Sequence, residues 1–302
     1  MLKRTLAAAM VLCLLICCAP EKIAHADSTE KDTAAVLTKT EKISDTEMRM
    51  YVQHDDMTVF CKVFLPEGQK KCPALIMAGG LRGSFSMYTD MAREMSKNGI
   101  AGIIFDFCGS VSPSKSSGSM TDMSVETEIS DLLAVLDAVR SLPRVDADCV
   151  YLGGHSFGGL VAATASTKRP DDVKGLLLLE PSFQMPDEIR NLLPEGSEIP
   201  KVMYTPIFCG ADFLRTLRDM DAYAPLPDYP GKTVIFAGTV SPAIGADAPE
   251  YLERAAETFP DAELIFIPEA DHGFTGDVRA VLIEQMKDFI LEIQSAIPET
   301  AA

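Results

Sequence analysis

The feature that most constrains the fold is a series of short, mostly apolar segments that alternate with longer helical patterns. Each segment is as short as a buried strand and lacks the polar alternation of a half-exposed one. The segments are Ala74–Ala78, Ile100–Phe107, Cys149–Leu152, Gly175–Leu179, Thr233–Ala237 and Leu264–Ile267. Continuous apolar strands separated by helices predict a mostly parallel sheet covered by helices on both faces. We therefore expect an α/β protein, and 302 residues suffice for one large domain with a short leader and linker.

Segments outside these strands complete the predicted domain organisation. Met48–Gln53 and Thr58–Leu65 predict an antiparallel pair that opens a main domain over residues 46–298. Residues 181–230 interrupt the strand and helix rhythm, and they are too long for a simple connection. We expect them to form a small helical cap over the carboxyl edge of the sheet. The polar residues 27–45 predict a flexible linker.

Residues 1–26 have the pattern of an export signal. A basic start precedes residues 5–19, an apolar run without charge that is too short for a comfortable membrane span. Ala24-His25-Ala26 offers a small-x-small cleavage site. The alternative is a lipid anchor on Cys18, because the residues around it loosely resemble a bacterial lipobox. Either interpretation predicts an exported protein, secreted or associated with the cell envelope.

Charge and cysteine content exclude several classes of partner and site. The net charge of −17 disfavours nucleic acid and anionic membranes, because phosphate binding draws on Lys and Arg. Five cysteines follow the leader, an odd number without zinc-type spacing or the pairing of a disulfide framework. One bridge stays open as an alternative, with Cys61 and Cys72 as the nearest pair.

The run Gly154-His155-Ser156-Phe157-Gly158 indicates a nucleophilic serine. A serine hydroxyl reacts only when a base removes its proton and donors stabilise the resulting oxyanion. Here a strand precedes Ser156 and a helix follows it, so the turn can lift the hydroxyl clear of the sheet. A chance match in a glycine-rich loop would lack both neighbours. We therefore interpret Ser156 as the nucleophile.

At these residues the chain, from about Arg49 to Ile297, resembles the α/β-hydrolases. The resemblance is closest to the feruloyl or cinnamoyl esterase-like group, within the serine aminopeptidase and dienelactone hydrolase-like proteins. It rests on Phe105-Asp106-Phe107, Gly118–Ser124, the Ser156 turn and Glu269-Ala270-Asp271-His272-Gly273-Phe274. It implies the α/β-hydrolase fold and a hydrolase, and it implies no particular substrate.

Histidine is scarce enough to choose the general base. Three histidines follow the leader, namely His54, His155 and His272. His155 adjoins Ser156 and is expected to point away from it, and His54 is expected on the surface at the far side of the sheet. His272 follows the last strand, where the resembled fold supplies its base. His272 is therefore the predicted base.

The acid is where the chain departs from the family pattern. The Asp expected after the strand Thr233–Ala237 is replaced by Ser241, which cannot stabilise an imidazolium as a carboxylate does. Glu180 is the favoured substitute, because a carboxylate that ends an apolar strand needs a partner. Asp247 is the alternative acid, and a site that has lost its acid is the third reading. Asp271 adjoins His272 and is expected to point elsewhere.

The oxyanion hole is predicted to combine the amide N–H of Phe157 with that of Gly80. The family often has His-Gly in this loop, where this chain has Ala78-Gly79-Gly80-Leu81. These glycines could also suggest a phosphate cradle, but no Lys-Ser/Thr follows them.

Together these residues predict hydrolysis of a small-molecule ester or acyl substrate through an acyl-enzyme on Ser156. No metal or organic cofactor is required. The alternatives are a peptidase or acyltransferase that uses the same triad, and a secreted binding protein on a degenerate hydrolase scaffold.

Overall fold

A nine-stranded sheet is the centre of the fold in the computed structural model, which describes residues 36–110, 113–204, 208–241 and 248–296. The predicted leader, residues 1–26, and the alternative acid Asp247 lie outside these ranges. Along the sheet, the strands are β1 Val36–Lys42, β2 Glu47–His54, β3 Met57–Phe64, β5 Ala101–Asp106, β4 Cys72–Ala78, β6 Val145–His155, β7 Gly175–Leu179, β10 Thr233–Gly238 and β11 Ala262–Ile267.

The sheet is parallel from β5 to β11, and only β1, β2 and β3 introduce antiparallel pairs. All residues of β5 and β7 are buried, as expected for strands that are covered on both faces. The predicted α/β architecture is therefore confirmed. The parallel strands end at one edge of the sheet, and in such sheets this edge collects the functional side chains.

Helices cover the sheet on both sides. One side packs against α1 Thr89–Lys97 and α7 Val278–Ser295, and the other against α2 Val125–Arg140, α3 Phe157–Lys168 and α6 Ala248–Thr258. Helix α2 begins at a capping box in which Ser124 and Thr127 exchange side chain to backbone hydrogen bonds of 2.8 and 3.1 Å. Within the described ranges, no helix combines the length and apolar character needed to cross a bilayer.

The segment between β7 and β10, where a helical cap is predicted, holds two α-helices among its described residues, together with a short antiparallel strand pair. Its elements are α4 Met185–Leu192, β8 Val202–Met203, β9 Cys209–Gly210 and α5 Ala211–Asp219. Phe213 of α5 packs edge-on against Phe157, with ring centroids 5.2 Å apart. The insertion therefore contacts the residue that directly follows Ser156.

The predicted linker, residues 27–45, is wrong in its second half. Strand β1 lies within it and pairs antiparallel with β2. Within it, Lys39 and Glu41 form an ion pair at 2.6 Å. An edge strand needs backbone pairing on one side only and tolerates charged side chains, so its composition resembles that of a linker.

Candidate active site

Ser156 occupies the sharp turn between β6 and α3. Its backbone has φ 55° and ψ −123°, a conformation that is strained for a residue with a side chain. The Ser156 N–H donates to the carbonyl oxygen of Leu179 at 2.9 Å, which fixes the turn to the neighbouring strand. The turn therefore has the geometry of a nucleophile elbow.

The glycines on either side of Ser156 are required by close backbone packing. A Cβ on Gly158 would lie 2.3 Å from the carbonyl oxygen of Gly79, and a Cβ on Gly154 would lie 2.2 Å from the Gly158 oxygen. Both distances are far shorter than van der Waals contact. The elbow and the loop after β4 consequently meet backbone to backbone.

Glu180 and His272 form a direct pair beside the elbow. Glu180 directly follows β7 and is fully buried, and its Oε2 lies 2.5 Å from Nδ1 of His272. The structure thus brings together the favoured acid and the predicted base. With Nδ1 engaged, Nε2 is the ring nitrogen of His272 that remains for Ser156.

The Glu180 carboxylate accepts two further hydrogen bonds. The backbone N–H of Gly238 donates to Oε1 at 2.7 Å, and the Ser241 hydroxyl donates to Oε2 at 2.7 Å. Ser241, at the position where the family pattern has its Asp, therefore contacts Glu180 directly. Hydrogen bonds to a buried carboxylate offset the cost of removing its charge from water.

Asp271, the carboxylate next to His272 in sequence, is hydrogen-bonded elsewhere, as expected. Asp271 accepts hydrogen bonds from the backbone N–H and the hydroxyl of Thr275, at 2.8 and 2.5 Å. These contacts hold the pKa of Asp271 below its ordinary value. Asp271 therefore stabilises its own turn.

The expectation for His54 is wrong in both place and exposure. Strand β2 runs in the same direction as β5, because both are antiparallel to β3, so His54 ends β2 at the carboxyl edge of the sheet. Its side chain is only 12% exposed, and its Nε2 lies 3.6 Å from Oδ1 of buried Asp131 on α2. Asp131 in turn accepts the backbone N–H of Cys108 at 2.7 Å. His54 thus belongs to a polar cluster away from Ser156.

The loop after β4 differs from the prediction, because the Gly80 amide predicted for the oxyanion hole already has a partner within the protein. The N–H of Gly80 donates to the Tyr88 hydroxyl at 3.2 Å and is therefore engaged within the protein. Gly83 N–H donates to the Gly80 oxygen at 2.8 Å, which closes a turn in which Leu81 is the second residue. The amide of a second turn residue takes no part in the turn's hydrogen bond. Phe157, as the first residue of α3, has an amide without an intrahelical acceptor.

The sequence analysis did not single out two residues that the structure places at this edge. The Ser182 hydroxyl lies 3.2 Å from the Ser156 hydroxyl, and the Ser182 N–H donates to the Ser156 carbonyl oxygen at 3.0 Å. The Tyr88 hydroxyl lies 2.9 Å from Nδ1 of His155. Ser182 had one sequence signal, since it follows Glu180 by two residues at a strand end. Tyr88 had none, because it belongs to a distant segment.

Metal-binding clusters, cysteines and cavities of the described residues point to no further site at this edge. No group of three or more His, Cys, Asp or Glu side chains there is placed to hold a metal ion. Cys61 and Cys72, the nearest candidates for a bridge, are buried free thiols. Two surface cavities of about 470 and 510 Å³ are lined by residues such as Leu65 and Gln69 at the opposite end of the sheet. Among the described residues, Ser156, Glu180 and His272 therefore remain the candidate catalytic side chains.

Comparisons with known proteins agree with this geometry. Residues 69–205 match the family described as serine aminopeptidase, S33, a range that includes Ser156 and Glu180. The quorum-quenching protein AidA of Acinetobacter baumannii is 31% identical over 119 residues, which are 38% of this chain and 38% of that protein. The chain thus matches well under half the length of this curated relative.

Solved structures resemble the chain over most of its length. Est1E from Butyrivibrio proteoclasticus with bound ferulic acid is 23% identical, with a TM-score of 0.73 over 82% of this chain and 99% of that one. Proline iminopeptidase from Mycobacterium smegmatis is 14% identical, with a TM-score of 0.62 over the same shares of the two chains. Given the parallel sheet, the strained serine turn and these likenesses, the chain has the fold of the α/β-hydrolase superfamily, as its motifs predicted.

Proposed function

We propose that this chain is a serine hydrolase that cleaves carboxylic esters through an acyl-enzyme on Ser156. The observation that carries the proposal is the 2.5 Å contact between buried Glu180 and Nδ1 of His272. A triad needs a base whose tautomer and orientation are held by a carboxylate. The contact supports Glu180 as that carboxylate, although Ser241 stands at the family's usual position.

In the proposed acylation step, Ser156 Oγ attacks the carbonyl carbon of the ester and its proton passes to Nε2 of His272. The resulting imidazolium keeps its Nδ1 proton on Glu180, whose negative charge stabilises it. The imidazolium then returns the proton to the leaving alkoxide. Water repeats the sequence on the acyl-enzyme, which releases the acid and restores Ser156.

The proposed oxyanion hole consists of the amides of Phe157 and Leu81. Phe157 begins α3, so its N–H is unused by the helix and carries the positive end of the helix dipole. Leu81 takes the place predicted for Gly80, because the N–H of Gly80 already donates to Tyr88. Two amides aimed at one oxygen are the usual means of stabilising a tetrahedral intermediate.

A covalent probe tests the catalytic proposal directly. Wild type should react with a fluorophosphonate probe, and Ser156→Ala should not. His272→Asn should slow labelling by at least about a hundredfold, since it removes the base. Asp271→Asn, which changes a carboxylate beside the base that bonds only its own turn, is the matched control and should label normally. Absence of Ser156-dependent labelling would instead favour a binding protein on a hydrolase scaffold.

Substrate class needs a separate comparison, because a peptidase or an acyltransferase could use the same residues. The match to the serine aminopeptidase family supports testing amides beside esters. The likeness to a ferulic acid-binding structure supports including ethyl ferulate with p-nitrophenyl esters. We expect higher kcat/KM for esters than for aminoacyl p-nitroanilides, and the reverse order would favour a peptidase. Ester turnover that rises with added alcohol at the expense of free acid would favour an acyltransferase.

We also propose that the chain is exported, on the strength of its basic start, its apolar run and Ala24-His25-Ala26. Intact-mass measurement of the mature protein tests this proposal. A chain that begins at Asp27 supports cleavage by signal peptidase, and a lipid-modified Cys18 at the N-terminus supports an anchor. A cytoplasmic chain that retains residues 1–26 would contradict export.

A further inference from the structure

Both ring nitrogens of His155 are hydrogen-bonded, and each bond joins a different part of the active site. Nε2 lies 2.7 Å from the backbone carbonyl oxygen of His272, and Nδ1 lies 2.9 Å from the Tyr88 hydroxyl. The ring of His155 also packs at 4.7 Å from that of His272. Only about 6% of His155 is exposed, so water does not compete for these contacts.

The direction of every bond in this network follows from its two ends. A carbonyl oxygen only accepts, so Nε2 of His155 carries the proton and Nδ1 of the neutral ring is the acceptor. The Tyr88 hydroxyl therefore donates to Nδ1 and accepts the N–H of Gly80. A single ordered path thus runs from the loop after β4, through Tyr88 and His155, to the backbone of the base.

Burial keeps His155 in the form that this path requires. Desolvation, followed by the proximity of His272, lowers the pKa of His155 to about 4. The ring therefore stays neutral at the pH values at which a histidine base operates. A second proton on Nδ1 would turn an acceptor into a donor and break the bond with Tyr88.

Tyr88 also occupies the space beside the loop. A Cβ on Gly79 would lie 3.3 Å from Cε2 of Tyr88, so the tyrosine ring packs against this glycine. The resembled family often has a histidine in this loop, and this chain has none there. Tyr88, at the end of the short 3₁₀ helix Phe85–Tyr88, supplies a polar brace instead.

We propose that Tyr88 and His155 are positioning residues that hold the oxyanion loop at a constant distance from the base. We refer to the bonds from Gly80 through Tyr88 and His155 to His272 as the Tyr88–His155 link. The inference rests on the proposed function and deepens it. Because the link connects two groups that must act together in the transition state, its loss lowers kcat and leaves KM nearly unchanged.

Two isosteric substitutions of His155 separate the two arms of the link. His155→Gln keeps an N–H near the position of Nε2, so it preserves the bond to His272 and loses the bond to Tyr88. His155→Asn keeps an acceptor near the position of Nδ1, so it preserves the bond to Tyr88 and loses the bond to His272. Tyr88→Phe removes the Tyr88 arm from its other end. Tyr229→Phe is a matched control, because the buried Tyr229 hydroxyl donates to a backbone oxygen of Val173 at 3.2 Å, outside the site.

The measurements are kcat and KM for an ester, together with the rate of fluorophosphonate labelling. Each single variant of the link should lower kcat and the labelling rate about 10- to 100-fold, since small misplacements of reacting groups have effects of this size. KM should stay within about threefold. Tyr88→Phe combined with His155→Gln should be no slower than the worse single variant, because both substitutions break the same bond, the one between Tyr88 and His155. Tyr88→Phe combined with His155→Asn should likewise be no slower than the worse single variant, because breaking either arm already interrupts the link.

Unfolding curves exclude loss of fold as the cause, and Tyr229→Phe should lose stability without losing kcat. The inference is refuted if Tyr88→Phe keeps kcat within about twofold, or if its effect multiplies with that of His155→Gln. A wild type that shows no Ser156-dependent labelling refutes the proposed function and the inference together. A labelled wild type with unaffected link variants refutes the inference alone.

Discussion

Replacing Glu180 with Gln tests the arrangement of the site most sharply. Glu180 accepts three hydrogen bonds in a fully buried position, from Gly238 N–H on Oε1 and from His272 and Ser241 on Oε2. Gln has one acceptor oxygen and one amide NH2. It therefore cannot satisfy both sides of the carboxylate site in either orientation.

Each orientation of the amide has a definite consequence. If the oxygen stays on Gly238, the NH2 group faces Nδ1 of His272 and forces the proton onto Nε2, which then cannot accept the Ser156 proton. A tautomer trapped in this way lowers kcat about 10⁴-fold in a serine triad. If the amide flips, its NH2 faces the Gly238 N–H, and leaving buried donors unsatisfied costs about 1–3 kcal/mol. The imidazolium also loses its stabilising charge in both cases.

We therefore expect Glu180→Gln to lower kcat by about 10²- to 10⁴-fold, which corresponds to about 2.7 to 5.4 kcal/mol of transition-state stabilisation. KM should change by no more than severalfold, because Glu180 is buried behind His272. The assay is steady-state hydrolysis of a p-nitrophenyl ester, with Asp271→Asn as the control that stays within about threefold. A Glu180→Gln variant that keeps kcat within about tenfold would refute Glu180 as the acid, and Asp247→Asn would be the next variant to measure.

Three further predictions address the acid, the core and the elbow. Ser241→Asp places a second carboxylate beside Oε2 of Glu180, so like-charge repulsion should lower kcat at least about tenfold in the same ester assay, and a rate at or above wild type would contradict this. Burial raises the pKa of Glu128 well above its ordinary 4.5, so the folded state binds this proton more tightly than the unfolded state. The free energy of unfolding therefore falls as pH rises above 4.5, by up to about 1.4 kcal/mol per pH unit. Glu128→Gln removes this dependence, and urea unfolding should show a larger gain over wild type at pH 8 than at pH 5; equal gains would count against it. Gly158→Ala pushes a Cβ to 2.3 Å from the Gly79 oxygen, so it should abolish probe labelling or destabilise the fold, and normal labelling at unchanged stability would show the contact to be dispensable.

The sequence predicts most of the sheet and the sharp turn at Ser156, because both depend on local patterns. Apolar runs such as Gly175–Leu179 are long enough to identify buried strands, and the Ser156 turn has a strand and a helix as its immediate neighbours. The placement of Glu180 was also accessible, since a carboxylate at the end of such a run requires partners. Its additional partners, Gly238 and Ser241, were not accessible, because they come from the end of β10 and the loop after it, which are remote in sequence.

The features that sequence reasoning missed depend on which segments meet in space. Tyr88 and His155 are joined only because β4 and β6 are neighbours in the sheet, an order that the chain does not follow. His54 was expected at the wrong end of the sheet, because the direction of β2 follows from its antiparallel pairing with β3 and from the antiparallel pairing of β3 with β5. Strand β1 was interpreted as part of a linker, because a strand at the edge of a sheet can have the polar composition of a linker. In each case the deciding interaction joins residues remote in sequence.

The position of Glu180 at the end of β7 changes which parts of the chain are free to diversify. Glu180 is followed at once by Pro181 and Ser182, the entrance to the insertion that contacts Phe157. Under the proposed function, changes in this insertion are therefore constrained at its entrance by Glu180. Among the described residues, the end of β10 and the loop after it give Glu180 a hydrogen bond from the Gly238 amide and one from the Ser241 hydroxyl. Loop grafting for altered specificity should accordingly begin beyond Ser182 or in the loop that follows Ser241.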